Sequence, residues 1–223
     1  MNICVLGDSV AKGVVYDEAK EKYVFLKDSF INLFMRENNI SVKNMAKFGC
    51  TTSKAIKIID TACDDFAAFD YTLIELGGND CDYDWAKVAE RPDSPHLPHV
   101  PLDRFRSSYN DIIAKVKAKG SKPILLSLPP IDSSMFFGWV SRGLNQENIL
   151  RFLHKVDTIY EWHEGYNRMV SEIAAENQVP LIDIRNVFLQ EENYGRFLCP
   201  DGIHPNEQGH KLIFQVFARE LPF

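Results

Sequence analysis

No stretch of this 223-residue chain approaches the ~20 consecutive apolar residues that a membrane-spanning helix requires. Lysine and arginine (25) are outnumbered by aspartate and glutamate (31), for a net charge of -6. A nucleic-acid partner is therefore not expected, because neutralising phosphates takes a basic face, and stable association with an anionic membrane is disfavoured for the same reason. Cysteine is sparse and unpaired in pattern. Cys4, Cys50, Cys63, Cys81 and Cys199 are odd in number, and none lies at the two-residue spacing of a zinc site or redox dithiol. They read as free thiols in a reducing compartment. Met1-Asn2 leads straight into the apolar Ile3 to Leu6, without the basic and long hydrophobic regions of a secretory signal. The expectation is a cytoplasmic protein. There is no internal repeat and no low-complexity linker. Glycine patterns are also missing: no phosphate-binding loop, no dinucleotide Gly-x-Gly-x-x-Gly, and no Gly-x-Ser-x-Gly elbow. The nearest approach to that elbow, from Gly138 through Ser141 to Gly143, is one residue too long.

What is present is an ordinary globular composition, 45% hydrophobic and 25% charged. The length suits a single domain, 1–223, with a core that needs neither metal nor disulfide. Short apolar runs alternate with stretches of helical period. Ile3–Leu6, Ser41–Ala46, Tyr71–Leu76, Ile124–Leu128 and Pro180–Ile184 read as strands. Helices are expected over about Val24–Arg36, where Leu26, Phe30 and Phe34 share a spacing, and after Thr52 or Ser53, with Ile56, Ile59 and Cys63 on one side. Further helices run from Asp103 to Gly120 and around Tyr166, Met169, Val170 and Ile173, and a last one begins at Pro205, where a missing N–H does no harm. Strand alternating with helix predicts a three-layer α/β/α sandwich, flavodoxin-like, on a five-stranded parallel sheet. Reactive loops in such folds sit at the carboxyl ends of the strands.

Two segments depart from this economy. Pro92, Pro95, Pro98 and Pro101 recur every three residues, the period of polyproline II, so 81–102 reads as a long extended loop: a lid or partner arm, or a plain surface insertion. The segment 131–156 contains Met135-Phe136-Phe137-Gly138-Trp139. Phe136, Phe137 and Trp139 are candidate substrate-binding residues for an acyl chain or a sugar face, with core or dimer packing the competing readings, so a homo-oligomer stays open.

Four strand-end segments carry the chemistry: Gly7-Asp8-Ser9, Lys47-Phe48-Gly49, Gly77-Gly78-Asn79-Asp80 and Asp201-Gly202-Ile203-His204-Pro205. A serine hydroxyl is a poor nucleophile until a base takes its proton, and an unperturbed imidazole, titrating at about 6.5, suits that task. A carboxylate on the far ring nitrogen fixes the tautomer and stabilises the imidazolium. Ser9, His204 and Asp201 can fill these roles, the last two projecting from one tight turn eased by Gly202. Taken singly, each is equally a turn or cap residue. Asp8 is a candidate for shaping the nucleophile loop or touching substrate. Gly-Asp and Gly-Asn-Asp turns also occur in metallophosphoesterases, but no histidine closely follows Asp8 or flanks Asn79, and His96 and His99 lack acidic or thiol partners. A non-catalytic binding module would not need the whole set. Cys50 and Cys81 read as structural thiols, and His210 as solvent-facing or structural.

In these four blocks, marked by Ser9, Gly49, Asn79 and His204 from Gly7 to Gly209, the chain resembles the SGNH, or GDSL, hydrolase family, with valine at Val10 where the nickname has leucine. The resemblance implies the same fold and a serine esterase with Ser9 as nucleophile, His204 as base and Asp201 as its orienting acid. It also implies an oxyanion hole from the Ser9 and Gly49 N–H groups and the Asn79 side chain. No cofactor and no metal are implied. The partner is a small-molecule ester, with an acetyl or similar small group on a carbohydrate or other polar alcohol favoured. Lysophospholipase, thioesterase and acyltransferase activities of the same family remain alternatives.

Overall fold

The computed structural model describes residues 1–62 and 66–221. Cys63, expected on a helix, lies outside them. In chain order the elements are β1 (Asn2–Gly7), α1 (Ser9–Lys12), β2 (Val14–Asp17), β3 (Lys22–Phe25), α2 (Phe30–Asn38), β4 (Ser41–Asn44) and α3 (Thr52–Thr61). They continue as β5 (Tyr71–Glu75), α4 (Trp85–Glu90), α5 (Leu102–Ala118), β6 (Lys122–Leu126), α6 (Ser133–Val140) and α7 (Gln146–Leu153). The last are α8 (Thr158–Glu176), β7 (Leu181–Ile182), α9 (Asn186–Leu189) and α10 (Glu207–Glu220).

Strand side chains alternate between faces, and here both faces are apolar. Cys4, Leu6, Ile74 and Leu125 point to one side, where α3, α5 and α8 cover them with Ile59, Tyr109 and Val170. Ile3, Val5, Leu73, Ile124 and Leu126 point to the other, against Phe30 and Phe34 of α2 and Ile213 and Phe217 of α10. The result is the expected α/β/α sandwich with a five-stranded sheet, order β4-β1-β5-β6-β7, every pairing parallel. In this order β1 and β5 are central, with Val5 paired to Leu73 and Gly7 to Glu75. Gly7-Asp8-Ser9 and Gly77-Gly78-Asn79 thus emerge side by side.

Several expectations need correction. The helix read from Val24 begins only at Phe30, where the Ser29 hydroxyl accepts from the Asn32 N–H. Ahead of it, β2 and β3 form an antiparallel hairpin, Tyr16 opposite Tyr23. α3 is capped by Thr51, not by Thr52 or Ser53. The last helix starts at Glu207 under an Asn206 cap; Pro205 instead bridges Leu198. The segment 81–102 is not wholly extended, because Asp84 caps α4 there. Residues 131–156 hold two helices, α6 and α7.

Those two insertions meet. Trp85 and Val88 of α4, Phe136 of α6, Ile149 and Leu153 of α7 and Ile159 of α8 form a third apolar cluster. It makes a cap beside the carboxyl ends of the strands.

Candidate active site

The short helix α1 begins at the carboxyl end of β1, and the Asp8 side chain caps it by accepting from the Val10 N–H at 2.9 Å. Ser9 is its first residue. Its hydroxyl lies 2.8 Å from His204 Nε2, although 195 residues separate the two in sequence. The other ring nitrogen, Nδ1, lies 2.6 Å from Asp201 Oδ2. With Nδ1–H donating to a carboxylate, Nε2 is left as the acceptor of the serine proton. Asp201 is wholly buried. Its Oδ1 accepts the N–H groups of Ile203 and His204, both at 3.0 Å. Burial pushes this carboxyl up, but the hydrogen bond and charge of His204, with those two amides, hold it below its ordinary value.

The Asp201–His204 loop does not follow β7 directly, since α9 and a short turn at Tyr194–Phe197 intervene. It is fixed by strand-like bonds, Cys199 N–H to His204 O at 2.7 Å and Asn206 N–H to Phe197 O at 2.9 Å. Gly202, at φ +73°, meets the cap: a Cβ there would sit 2.7 Å from Phe136 N and 2.8 Å from Asp132 O. Asp132 N–H donates back to Gly202 O at 2.9 Å. Only glycine fits that seam.

Three donor groups remain at this rim. Gly49 turns at φ +66°, and its Cβ position would lie 4.0 Å from Asn79 Oδ1, so these two residues adjoin. The N–H groups of Ser9 and Gly49 donate to no other group among the described residues. Asn79 Nδ2 gives one hydrogen to Asp8 Oδ2 at 2.9 Å, which aims the amide and leaves its second hydrogen for a ligand. Asp8, 2% exposed, lines the cavity and is bonded at both oxygens, to the Val10 N–H and to Asn79, so it positions the nucleophile helix and the amide. Beneath it lies Glu75, also buried. Burial pushes both carboxyls up, and Glu75 further, because the Asp8 charge and their mutual hydrogen bond add to the burial. Asp80 anchors the neighbouring loop: it takes the Thr52 hydroxyl at 2.6 Å and the Thr52 N–H at 3.0 Å, and burial raises it to about 6.

These groups open onto a cavity of about 260 Å³, lined by Ser9, Asn79 and His204 and by aromatic rings of the cap. Phe136 and Trp139 line it; Phe137 does not, and packs instead against the cap cluster. Phe48, 57% exposed, stacks over the His204 ring at 6.0 Å between centroids.

Four residues that sequence reasoning passed over belong here. Tyr23, from the unforeseen hairpin, donates its hydroxyl to Asp201 Oδ2 at 3.0 Å. Glu75 was hidden as one more strand residue. Asp82 and His163 line the cavity without any motif to mark them. Cys50 is buried, and burial with nearby carboxylates pushes its thiol up to about 12, while Cys81 lines the cavity with its thiol also pushed well up by burial. His210 is buried, stacked on Phe30. Among the described residues no group of three or more His, Cys, Asp or Glu is placed to hold a metal ion. No described helix is long and apolar enough to cross a membrane.

Over residues 5–212 the sequence matches the GDSL-like lipase/acylhydrolase family. The chain belongs to that family. Among curated relatives it is 24% identical over 171 residues to the GDSL esterase/lipase CPRD49 of Arabidopsis thaliana, covering 74% of this chain and 60% of that protein. The chain thus spans less than two thirds of that relative's length. Among solved structures, an acetylxylan esterase from Geobacillus stearothermophilus superposes with a TM-score of 0.70 at 19% identity, over 100% of this chain and 94% of its own. A lipase/acylhydrolase from Enterococcus faecalis gives 0.67 at 21%, over 99% and 94%. At these identities the likeness is one of fold.

Proposed function

We propose that this GDSL-family protein hydrolyses a carboxylic ester of a small acyl group, acetyl fitting best, on a carbohydrate or similar polar alcohol. Ser9 Oγ attacks the carbonyl carbon as its proton passes to His204 Nε2, and Asp201 holds the imidazolium that forms. Negative charge on the carbonyl oxygen is met by the Ser9 and Gly49 N–H groups and Asn79 Nδ2. His204 then protonates the leaving alcohol oxygen, leaving an acyl-serine. Water repeats the sequence and frees the acid.

The observation that carries this reading is the unbroken line from Ser9 Oγ through His204 to Asp201, at 2.8 and 2.6 Å, facing a cavity. A small acyl group is favoured by size. About 260 Å³ must hold both halves of the ester, less than the ~300–1,000 Å³ of ordinary ligand pockets. The aromatic lining suits a flat, hydroxyl-bearing ring.

A fluorophosphonate probe should label Ser9 and nothing else, as read by peptide mass. Turnover of 4-nitrophenyl esters should fall as the acyl chain lengthens beyond two to four carbons. Labelling that survives Ser9→Ala removes the nucleophile assignment. Faster turnover of long chains removes the small-acyl assignment while leaving the nucleophile.

A further inference from the structure

The cavity contains two polar groups that the ester-cleaving steps do not use. His163, on α8, is 7% exposed and lines the wall. Its Nδ1 lies 3.4 Å from the guanidinium of Arg185. That guanidinium is itself fixed: it pairs with Glu164 at 2.7 Å, donates to the carbonyls of Leu128 and Pro129, both at 3.3 Å, and sits 5.0 Å from the Tyr160 ring centroid. A ring nitrogen facing a permanent cation that can only donate must be an acceptor. The imidazole hydrogen is therefore on Nε2, which has no hydrogen-bond partner among the described residues.

Asp82 lines the same cavity. Its Oδ1 takes the Tyr83 N–H at 2.9 Å and the indole N–H of Trp85 at 2.8 Å, and its Oδ2 accepts nothing among the described residues. The sequence neighbours of the two groups, Tyr83 and Trp162, pack ring on ring at 4.6 Å between centroids, so both belong to one wall. A fixed donor and a fixed acceptor, each with one valence open, stand among aromatic faces. An acyl chain would leave both unpaired at the cost of their desolvation. A hydroxyl answers either.

We infer that Asp82 and His163 are specificity residues for the alcohol half of the ester, reading hydroxyls of a polyol or sugar ring while the cap aromatics take its apolar face. This rests on the esterase reading above and goes further, since that reading names a class of alcohol but no residue that selects it. Burial, with the Arg185 charge, lowers the His163 pKa to about 3, so the ring presents the same single donor throughout the neutral range.

The test compares two acetates of similar ring size: a monoacetylated methyl xylopyranoside, rich in hydroxyls, and cyclohexyl acetate, which has none. In the unmodified protein kcat/KM should favour the sugar ester by at least about tenfold, because a site built to bond hydroxyls discriminates against their absence. His163→Phe and Asp82→Asn should each shrink that ratio by about three- to thirtyfold, the worth of one neutral or charge-assisted hydrogen bond. A ratio near unity in the unmodified protein overturns the inference, and so does a ratio unmoved in variants that fold. Should a variant fail to fold, the ratio in the unmodified protein decides alone. Fluorophosphonate labelling of Ser9 separates the two readings. If Ser9 is labelled and the ratio is flat, only the alcohol assignment falls; if Ser9 is not labelled, the esterase reading falls with it.

Discussion

The strand-end rim and the cap face each other across one cavity, and they are built on opposite principles. At the rim almost every polar group is committed: Asp201 accepts from Ile203, His204 and Tyr23, Asp8 from Val10 and Asn79, Asp80 from Thr52. The cap is held by Trp85, Phe136, Ile149 and Leu153 packed on one another. A bonded network holds reacting atoms to tenths of an ångström. Apolar packing sets a shape, which selects what enters. Reaction and selection are thus assigned to different materials.

The division can be broken most directly at its hardest point. His204→Ala should lower kcat by about 10⁴-fold or more, with thermal unfolding nearly unmoved, because the rim loops keep their backbone bonds. Asn79→Ala comes next: about 10²–10³-fold in kcat, the usual loss on removing one oxyanion donor, against little change in KM. On the other side, Leu153→Ala should cost about 2–5 kcal/mol of stability by urea denaturation and raise KM far more than it lowers kcat. If it damages kcat as badly as Asn79→Ala does, cap and rim are not separable.

Two smaller effects sharpen the comparison within the rim. Tyr23→Phe should reduce kcat/KM by about tenfold, since a hydrogen bond to the Asp201 carboxylate goes with the hydroxyl, while the unfolding midpoint barely shifts. Asp80 gives a pH signature. Its folded pKa, about 6, lies above the ordinary 3.8. Between these values the folded state binds more protons than the unfolded state. The contribution is therefore fully present below about pH 4 and is lost as pH rises through about 6. Asp80→Asn keeps an acceptor for Thr52 and cannot ionise. Its stability relative to the unmodified protein should rise by about 1–3 kcal/mol across that window. A flat difference would show that the carboxyl is not strained by its burial.

The rim was largely legible in the sequence and the cap was not, for a physical reason. Strands such as Ile3–Leu6 and Tyr71–Leu76 declare themselves as apolar runs stopped by glycine, and strand ends in a parallel sheet converge, so Ser9, Gly49 and Asn79 could be placed together from local signals. The hairpin was missed because Leu26, Phe30 and Phe34 share a helical spacing, and a helix drawn on it from Val24 runs past the Ser29 cap into strand residues Val24 and Phe25. Its turn offers no Asn-Gly pair; Glu21 itself takes φ +50°. Tyr23 went unseen with it. In 81–102 the proline period suggested extension, yet all four prolines lie beyond α4, which Asp84 starts. Asp82 and His163 acquire meaning only from what surrounds them after folding, which no spacing encodes.

The Gly202 seam bears on how a substrate gets in. A cap swinging away at that seam would break the Asp132–Gly202 bond and drag the acid off its imidazole, disabling the machine at the moment of loading. Entry that leaves this bond intact keeps the acid on its imidazole. The machine stays ready only while cap and loop stay joined at that seam.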